Sequence, residues 1–347
     1  MDTGRICHIN VMKTRWIALL LALILLFGFP AAGAVETEAA HIKWVDFDVS
    51  YGALKAALDY DLTTHGTDVH LNWIELLAVL GARYGGSFSK YKKSHLDDFA
   101  ARLLAGEALD DITSDIEHYG YYLEAYSAIL GEFVGQHRVQ VPNLADPEQK
   151  VWEERYGLKV YSPIAKGFGY GDFDDFGTGR SYGYNRRHLG HDMFGAVGTP
   201  IVAVESGVVQ VMGWNQYGGW RIGIRSFDGL RYYYYAHLRQ NRPYHPDVKE
   251  GEVVKAGDVI GYMGRTGYSP KENTNGIRET HLHWGLQLIF HPEQEEGEKE
   301  IWVDVYTLSR LLEQNRSETY RVEETKEFYR SYDFDEPNLQ DRLEDCM

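Results

Sequence analysis

The hydrophobic pattern changes period near Pro142, and that change limits the chain to a fold built from two kinds of element. Ahead of it, apolar residues recur every three or four positions. Tyr51, Leu54, Leu58 and Leu62 follow Ser50, a helix-capping residue type. Asn72 and Glu75 have capping-box spacing before Ile74, Leu77 and Leu80, and that helix runs out at Gly85-Gly86. Ser94 and Asp97 repeat the signature ahead of Phe99 and Leu103, and a fourth helical segment starts at Tyr119 and ends near Gly135. From about Val151 the pattern turns short and extended. TPIVAV, GVVQVM, WRIGIR and LRYYYYAHL are strand-like runs separated by turn signals such as Asp228-Gly229. No helical crossover fits between them, so the sheets are expected to be antiparallel. The expected class is α+β: a helical domain at 35–150, a β-rich domain at 151–310, and a C-terminal helix with an acidic tail at 311–347. IWVDVYTLSRLLEQN reads as a short strand and that helix, and the tail from Ser317 onward reads as solvated and mobile. His65, His70, His95 and His118 lie in the helical part without ligand-like spacing and are expected at the surface or at caps.

Charge and cysteine content narrow the partners and the compartment. The 347 residues include 35 Lys or Arg against 51 Asp or Glu, a formal charge of −16, which argues against general nucleic-acid binding. Two cysteines, Cys7 and Cys346, cannot supply a disulfide framework. Residues Trp16 to Val35 carry no charge, follow Arg5, Lys13 and Arg15, and end in the small-x-small sequence Ala32-Gly33-Ala34. The segment 1–34 is therefore expected to be an export signal cleaved after Ala34. A run of about 20 apolar residues is also long enough to remain as a membrane anchor. No cysteine stands at the cleavage site to take a lipid.

Seven of the 14 histidines fall between His188 and His291. In HLGHD, His188 and Asp192 are four apart, and in extended chain both point to one side while His191 points away. Gly190 between them has no side chain to interfere. In THLHWGL, His281 and His283 share a face by the same alternation. Two such segments can converge on one ion. Imidazole and carboxylate together favour zinc, since magnesium and calcium prefer oxygen donors, and three protein ligands leave a coordination position open for water. The cation then lowers the pKa of water from about 15.7 toward roughly 7. His237, alone after YYYYA, completes the polar set. The glycine-rich stretch from Pro163 to Arg187 lacks the G-x-G-x-x-G spacing and the Lys-Ser/Thr of a phosphate loop and is expected to form a long loop flanking a cleft. Tyr232 to Tyr235 place two rings on each face of a strand, at least one pair of them core. Trp214, Tyr217, Trp220 and Trp284 are candidates for lining a groove.

HLGHD, GTPIVAVESGVV, YYYYAHL, VKAGDVIGYMGRTG and HLHWGL, in that order between about Tyr161 and Phe290, resemble the HxGxD, YxHL and HxH blocks of the lysostaphin/LytM-type zinc metalloendopeptidases, which cut peptidoglycan. The resemblance implies a duplicated hybrid β fold, one zinc on His188, Asp192 and His283, and a catalytic pair of His237 and His281. His191, His245 and His291 match no family position and are expected to be structural: His191 outward-facing, His245 in a loop, His291 after a strand. Two departures stand out. Gly285 occupies a position where many relatives carry Glu, and the loop YSPKENTNGIRET before HxH is long, expected to form one wall of the groove. The implied activity is an exported endopeptidase acting on peptidoglycan stems or cross-bridges, held at a membrane only if the N-terminal segment stays uncleaved. The alternative is a non-catalytic envelope scaffold on the same fold, although degenerate scaffolds normally lack a ligand and none is missing here.

Overall fold

The computed structural model describes residues 41–339 apart from positions 183, 296, 298 and 338. The expected export signal or anchor and both cysteines lie outside the described residues. Among the described residues no helix is long and apolar enough to cross a membrane.

Five helices come first: α1 (Tyr51–Thr64), α2 (Trp73–Tyr84), α3 (Lys93–Leu104), α4 (Leu109–Thr113) and α5 (Tyr119–Leu130). Ser50 caps α1 by accepting from the Ala53 N–H, and Asn72 caps α2 by accepting from the Ile74 and Glu75 N–H groups. Gly85 closes α2 at φ 62°, a left-handed geometry that glycine adopts without steric cost. The expected cap of α3 differs. Its helix starts at Lys93 with no side-chain cap, and Asp97 instead pairs with Lys93 and accepts from Tyr60. His65 and His118 sit at helix ends, His70 pairs with Asp61, and His95 bonds Tyr84. The helical run stops at Leu130. A long hairpin follows, β1 (Val134–Pro142) and β2 (Lys150–Leu158), so the stretch 35–150 expected to be helical contains a full strand.

The next elements are β3 (Gly179–Tyr182), β4 (Tyr184–Arg187), β5 (His191–Phe194), β6 (Pro200–Val202), β7 (Gly207–Asn215), β8 (Gly219–Ser226), β9 (Arg231–Ala236), β10 (Val253–Val254), β11 (Val259–Tyr262), β12 (His281–Leu288) and β13 (Ile301–Val303). The main sheet is antiparallel in the order β10-β7-β8-β9-β12-β13, and β5 shares the β13 edge of β12. Tyr233 and Tyr235 are wholly buried while Tyr232 and Tyr234 face a recess, the division that alternation requires.

Helices and sheet share one apolar core that includes Leu54, Leu77, Ile129, Ile224, Tyr233 and Leu286. Buried Arg231 ties the two parts together: Nε donates to Glu205 at 2.8 Å, and Nη1 donates to the carbonyl of Ala128 in α5 at 2.7 Å. After α6 (Tyr306–Leu312) come β14 (Thr319–Arg321), β15 (Phe328–Arg330) and β16 (Phe334–Asp335), and β16 pairs with β1. The expected solvated tail is thus a packed element through this point. Its net charge is outweighed by aromatic anchors, with Phe334 buried against Tyr161 and half-buried Phe328 packed beside Tyr262, and by pairing of Arg330 with Asp258 at 3.0 Å.

Candidate metal centre

Strand register assembles the polar residues. On β12, His283 stands directly opposite Asp192 of β5 on one side and Ala236 of β9 on the other. Opposed residues on neighbouring strands have Cβ atoms about 5 Å apart, close enough for side chains to meet. His188 enters just ahead of β5, its peptide N–H held by the Thr178 carbonyl at 2.9 Å. His188 Nε2, Asp192 Oδ1 and His283 Nδ1 then form a tight triangle, with separations of 3.0 Å, 3.0 Å and 2.9 Å. These three atoms are one of two groups of metal-type donors among the described residues. Gly190 is required beside them: a Cβ there would lie 2.6 Å from Cε1 and Nε2 of His283.

The electrostatics favour a cation. Burial works to raise the Asp192 carboxyl, but the imidazoles of His188 and His283 packed against it more than offset that and hold the group well below its ordinary value. Burial lowers His283, so its imidazole is neutral and its lone pair available. The other nitrogen of His188, Nδ1, is 2.8 Å from Asp175 Oδ1. A carboxylate there fixes the tautomer and aims the Nε2 lone pair into the triangle. Arg180 in turn pairs with Asp175 and lies 3.8 Å from Asp192 Oδ2. One carboxylate oxygen and two imidazole nitrogens, with an ordered outer carboxylate, fit zinc.

His237 and His281 stand beside this group with ring centroids 4.7 Å apart, and His281 Nε2 is 3.7 Å from Asp192 Oδ1. His237 leaves β9 at φ 62°, a backbone conformation uncommon for a non-glycine residue, with its N–H donating to the Gly218 carbonyl at 2.7 Å. Each ring is pinned by a peptide carbonyl: His237 Nδ1 donates to Thr266 O at 3.0 Å and His281 Nδ1 donates to Glu279 O at 2.9 Å. A carbonyl only accepts, so Nδ1 carries the proton in both, and Nε2 of each is the atom left for chemistry. Burial, with His281 and His283 nearby, pushes His237 well below the usual imidazole range and keeps it neutral.

The five polar residues picked out in the sequence all line one groove of about 320 Å³ with Tyr217 and Tyr268. The long loop supplies a wall of it through Tyr268, Ile277, Arg278 and Glu279, and the glycine-rich stretch contributes Arg180 and Arg186. Other expectations need correction. His191 does point away from the triangle, yet it is buried, with Nδ1 2.9 Å from Ser309 Oγ and Nε2 3.1 Å from Asp172. The opposite face of β5 is covered by α6, so pointing away means pointing inward. Trp284 is fully buried core and cannot line a groove, because it alternates with His283. Trp214 and Trp220 pack on each other, and Trp220 Nε1 donates to Asn273 at 2.9 Å. At Gly285 a Cβ would lie 2.8 Å from the Trp302 ring, so the space a Glu would use is filled. Asp175 and Arg180 escaped the sequence reading, since Asp175 is one of three nearby aspartates and no spacing rule selects it.

Residues 186–295 match Peptidase family M23. The chain is 41% identical over 111 residues to an L-Ala--D-Glu endopeptidase of Bacillus subtilis, covering 32% of each protein. It is 41% identical over 105 residues to lysostaphin of Staphylococcus staphylolyticus, 30% of this chain and 20% of that one. It therefore spans about a third or less of the length of these curated relatives. Among solved structures, the catalytic domain of lysostaphin from Staphylococcus simulans has 30% identity and a TM-score of 0.32, over 41% of this chain and 92% of that chain. The family match begins two residues before His188 and runs past His283, taking in the whole polar set. Through this segment the chain belongs to peptidase family M23.

Proposed function

We propose that the protein is an exported zinc endopeptidase that hydrolyses peptide bonds in peptidoglycan, with His188, Asp192 and His283 as the metal ligands and His237 and His281 as the catalytic pair. The observation that carries this reading is the juxtaposition of a three-donor cluster with two imidazoles whose Nε2 atoms face the same groove. Bound there, zinc supplies Lewis acidity, which polarises a peptide carbonyl and makes water nucleophilic near neutral pH. The protein's own groups handle the protons. A neutral imidazole with Nδ1 committed to a carbonyl can only accept at Nε2, so the pair needs one proton between them to act as acceptor and donor. One ring takes the proton of the attacking water, while the charged ring holds the carbonyl oxygen by a hydrogen bond and passes its single Nε2 proton to the leaving amine, so that the pair again shares one proton at the end. The L-Ala--D-Glu and lysostaphin relatives support the peptidoglycan substrate class. The uncharged run 16–35 supports export.

The test separates metal holding from turnover. His281→Ala is expected to retain zinc while hydrolysis of purified cell-wall fragments falls by about 10²–10⁴-fold, the usual contribution of a positioned acid–base group. Undiminished hydrolysis by this variant would remove the mechanism. Equal phenotypic rescue by wild-type and Asp192→Ala protein would favour the scaffold reading instead.

A further inference from the structure

Beyond the metal centre the groove opens into a second recess of about 540 Å³, and Arg186, Tyr217, Tyr234 and His283 line both. The walls of this recess are basic, in a chain whose formal charge is −16: Arg186, Arg187, Arg221 and Arg225 face Glu295 and Glu300. The two acids are already engaged. Glu295 pairs with Arg225 at 3.1 Å, and Glu300 accepts the Trp302 indole N–H at 2.8 Å. No such acid serves Arg187 or Arg221 among the described residues. The Nε atoms of Arg186 and Arg221 are buried with no hydrogen-bond acceptor among those residues. Arg186 is also fixed in place, its guanidinium 5.5 Å and 5.2 Å from the rings of Tyr217 and Tyr268, with Nη2 donating to the Tyr268 hydroxyl at 2.6 Å. Buried guanidinium N–H groups without acceptors are costly, and a planar carboxylate is the acceptor that matches their fork.

We propose that this recess binds a carboxylate of the substrate, so that the peptide taken is anionic, with a free carboxyl group close to the cleaved bond, and not a neutral glycine chain. The word substrate rests on the endopeptidase reading; the carboxylate site itself is a statement about binding and is tested as one. The probes are two cross-linked stem-peptide fragments, one with its stem carboxylates free and one with them converted to carboxamides, together with pentaglycine. Full-length, zinc-loaded His281→Ala protein is titrated with each by calorimetry. The free-carboxylate fragment is expected to bind at least about tenfold more tightly than its amide, as a charge-assisted hydrogen bond allows. Arg221→Gln should abolish that preference and Arg187→Gln should reduce it, while Arg221→Lys, which restores charge without the fork, recovers part of it. In the active protein, Arg221→Gln should raise KM for the free-carboxylate fragment and leave kcat unchanged. Equal binding of the two fragments, tighter binding of pentaglycine, binding of none of the probes, or a preference that survives Arg221→Gln would each overturn the carboxylate site. Preferential binding without cleavage by the active protein would leave the site standing and remove the endopeptidase reading. Cleavage without preference would do the reverse.

Discussion

Among the described residues two places bring two histidines and one acid within 4.8 Å of one another: His188, Asp192 and His283 on the sheet, and His41, His291 and Glu293 at the far end of β12. We propose that only the first holds an ion. Its side chains are 5%, 11% and 15% exposed, whereas Glu293 is 34% exposed. His188 has its second nitrogen fixed by Asp175, so the first is aimed. In the other group two of the three donors are already employed, and only His41 Nε2 lacks a hydrogen-bond partner. His291 accepts from the Glu293 N–H as a helix cap, Glu293 is paired with Lys299, and the rings of His41 and His291 stack at 4.5 Å and 9°. Proximity of donors is therefore a weak criterion. What separates the groups is whether each lone pair is left without other work.

The largest effect expected from this distinction is in metal content. Wild-type protein should carry about one zinc per chain by elemental analysis, as three ligands with one open position imply. Asp192→Ala should carry almost none and should be inactive, while Glu293→Ala should match wild type in both. Two ions per chain, or loss of an ion on changing Glu293, would break the comparison.

A smaller effect tests the outer carboxylate. Asp175→Asn keeps an oxygen that accepts from His188 Nδ1 but removes the charge that strengthens the ligand, and zinc affinity measured against a competing chelator should fall by about 10–100-fold. Asp172→Asn is the matched control. Its carboxylate pairs with His191, which faces α6, and zinc affinity should not change. A similar loss in both variants would mean that the loop, and not the contact to His188, supports the site.

The contrast between Asp175 and Asp172 also shows what was legible in the sequence. Alternation holds for His281 and His283 on β12, because side-chain direction in a strand is a local property, whereas His188 lies ahead of β5 and meets Asp192 across the bend at Gly190. Register is not local. That Asp192 faces His283 depends on how β5 pairs with β12, and only the resemblance to a known family pointed to His283 over His281 as a ligand. Asp175 reaches the site from a loop 13 residues upstream of His188, and no periodicity reports such a contact. The tail misled for a related reason. Its charge is real, but Phe328 and Phe334 find a pocket formed by Tyr161, Val202, Val259 and Tyr262, residues distant in sequence. Likewise the strand β1 falls inside the stretch expected to be a helical domain, because the alternation at Val139 and Val141, just after the helical segment that ends near Gly135, is too short to mark a strand.

The smallest effect concerns what the second histidine group does if it holds no ion. The His291 ring accepts the Glu293 N–H over a long 3.4 Å, while the reciprocal bond runs from the His291 peptide N–H to Gln294 Oε1 at 3.0 Å. Of these two bonds His291→Ala removes only the first, together with the stacking of its ring on His41, so the expected loss is about 1 kcal/mol, read as a shift of the denaturant midpoint at unchanged zinc content. Gln294→Ala should cost more, because buried Gln294 also accepts from the Phe290 N–H and donates to the Ile42 carbonyl at 2.6 Å. That order follows if the group is a cap joining the end of β12 to the segment before α1. A metal role for His291 demands the opposite: the His291 substitution would then be the more damaging of the two, and the damage would be largest when zinc is present.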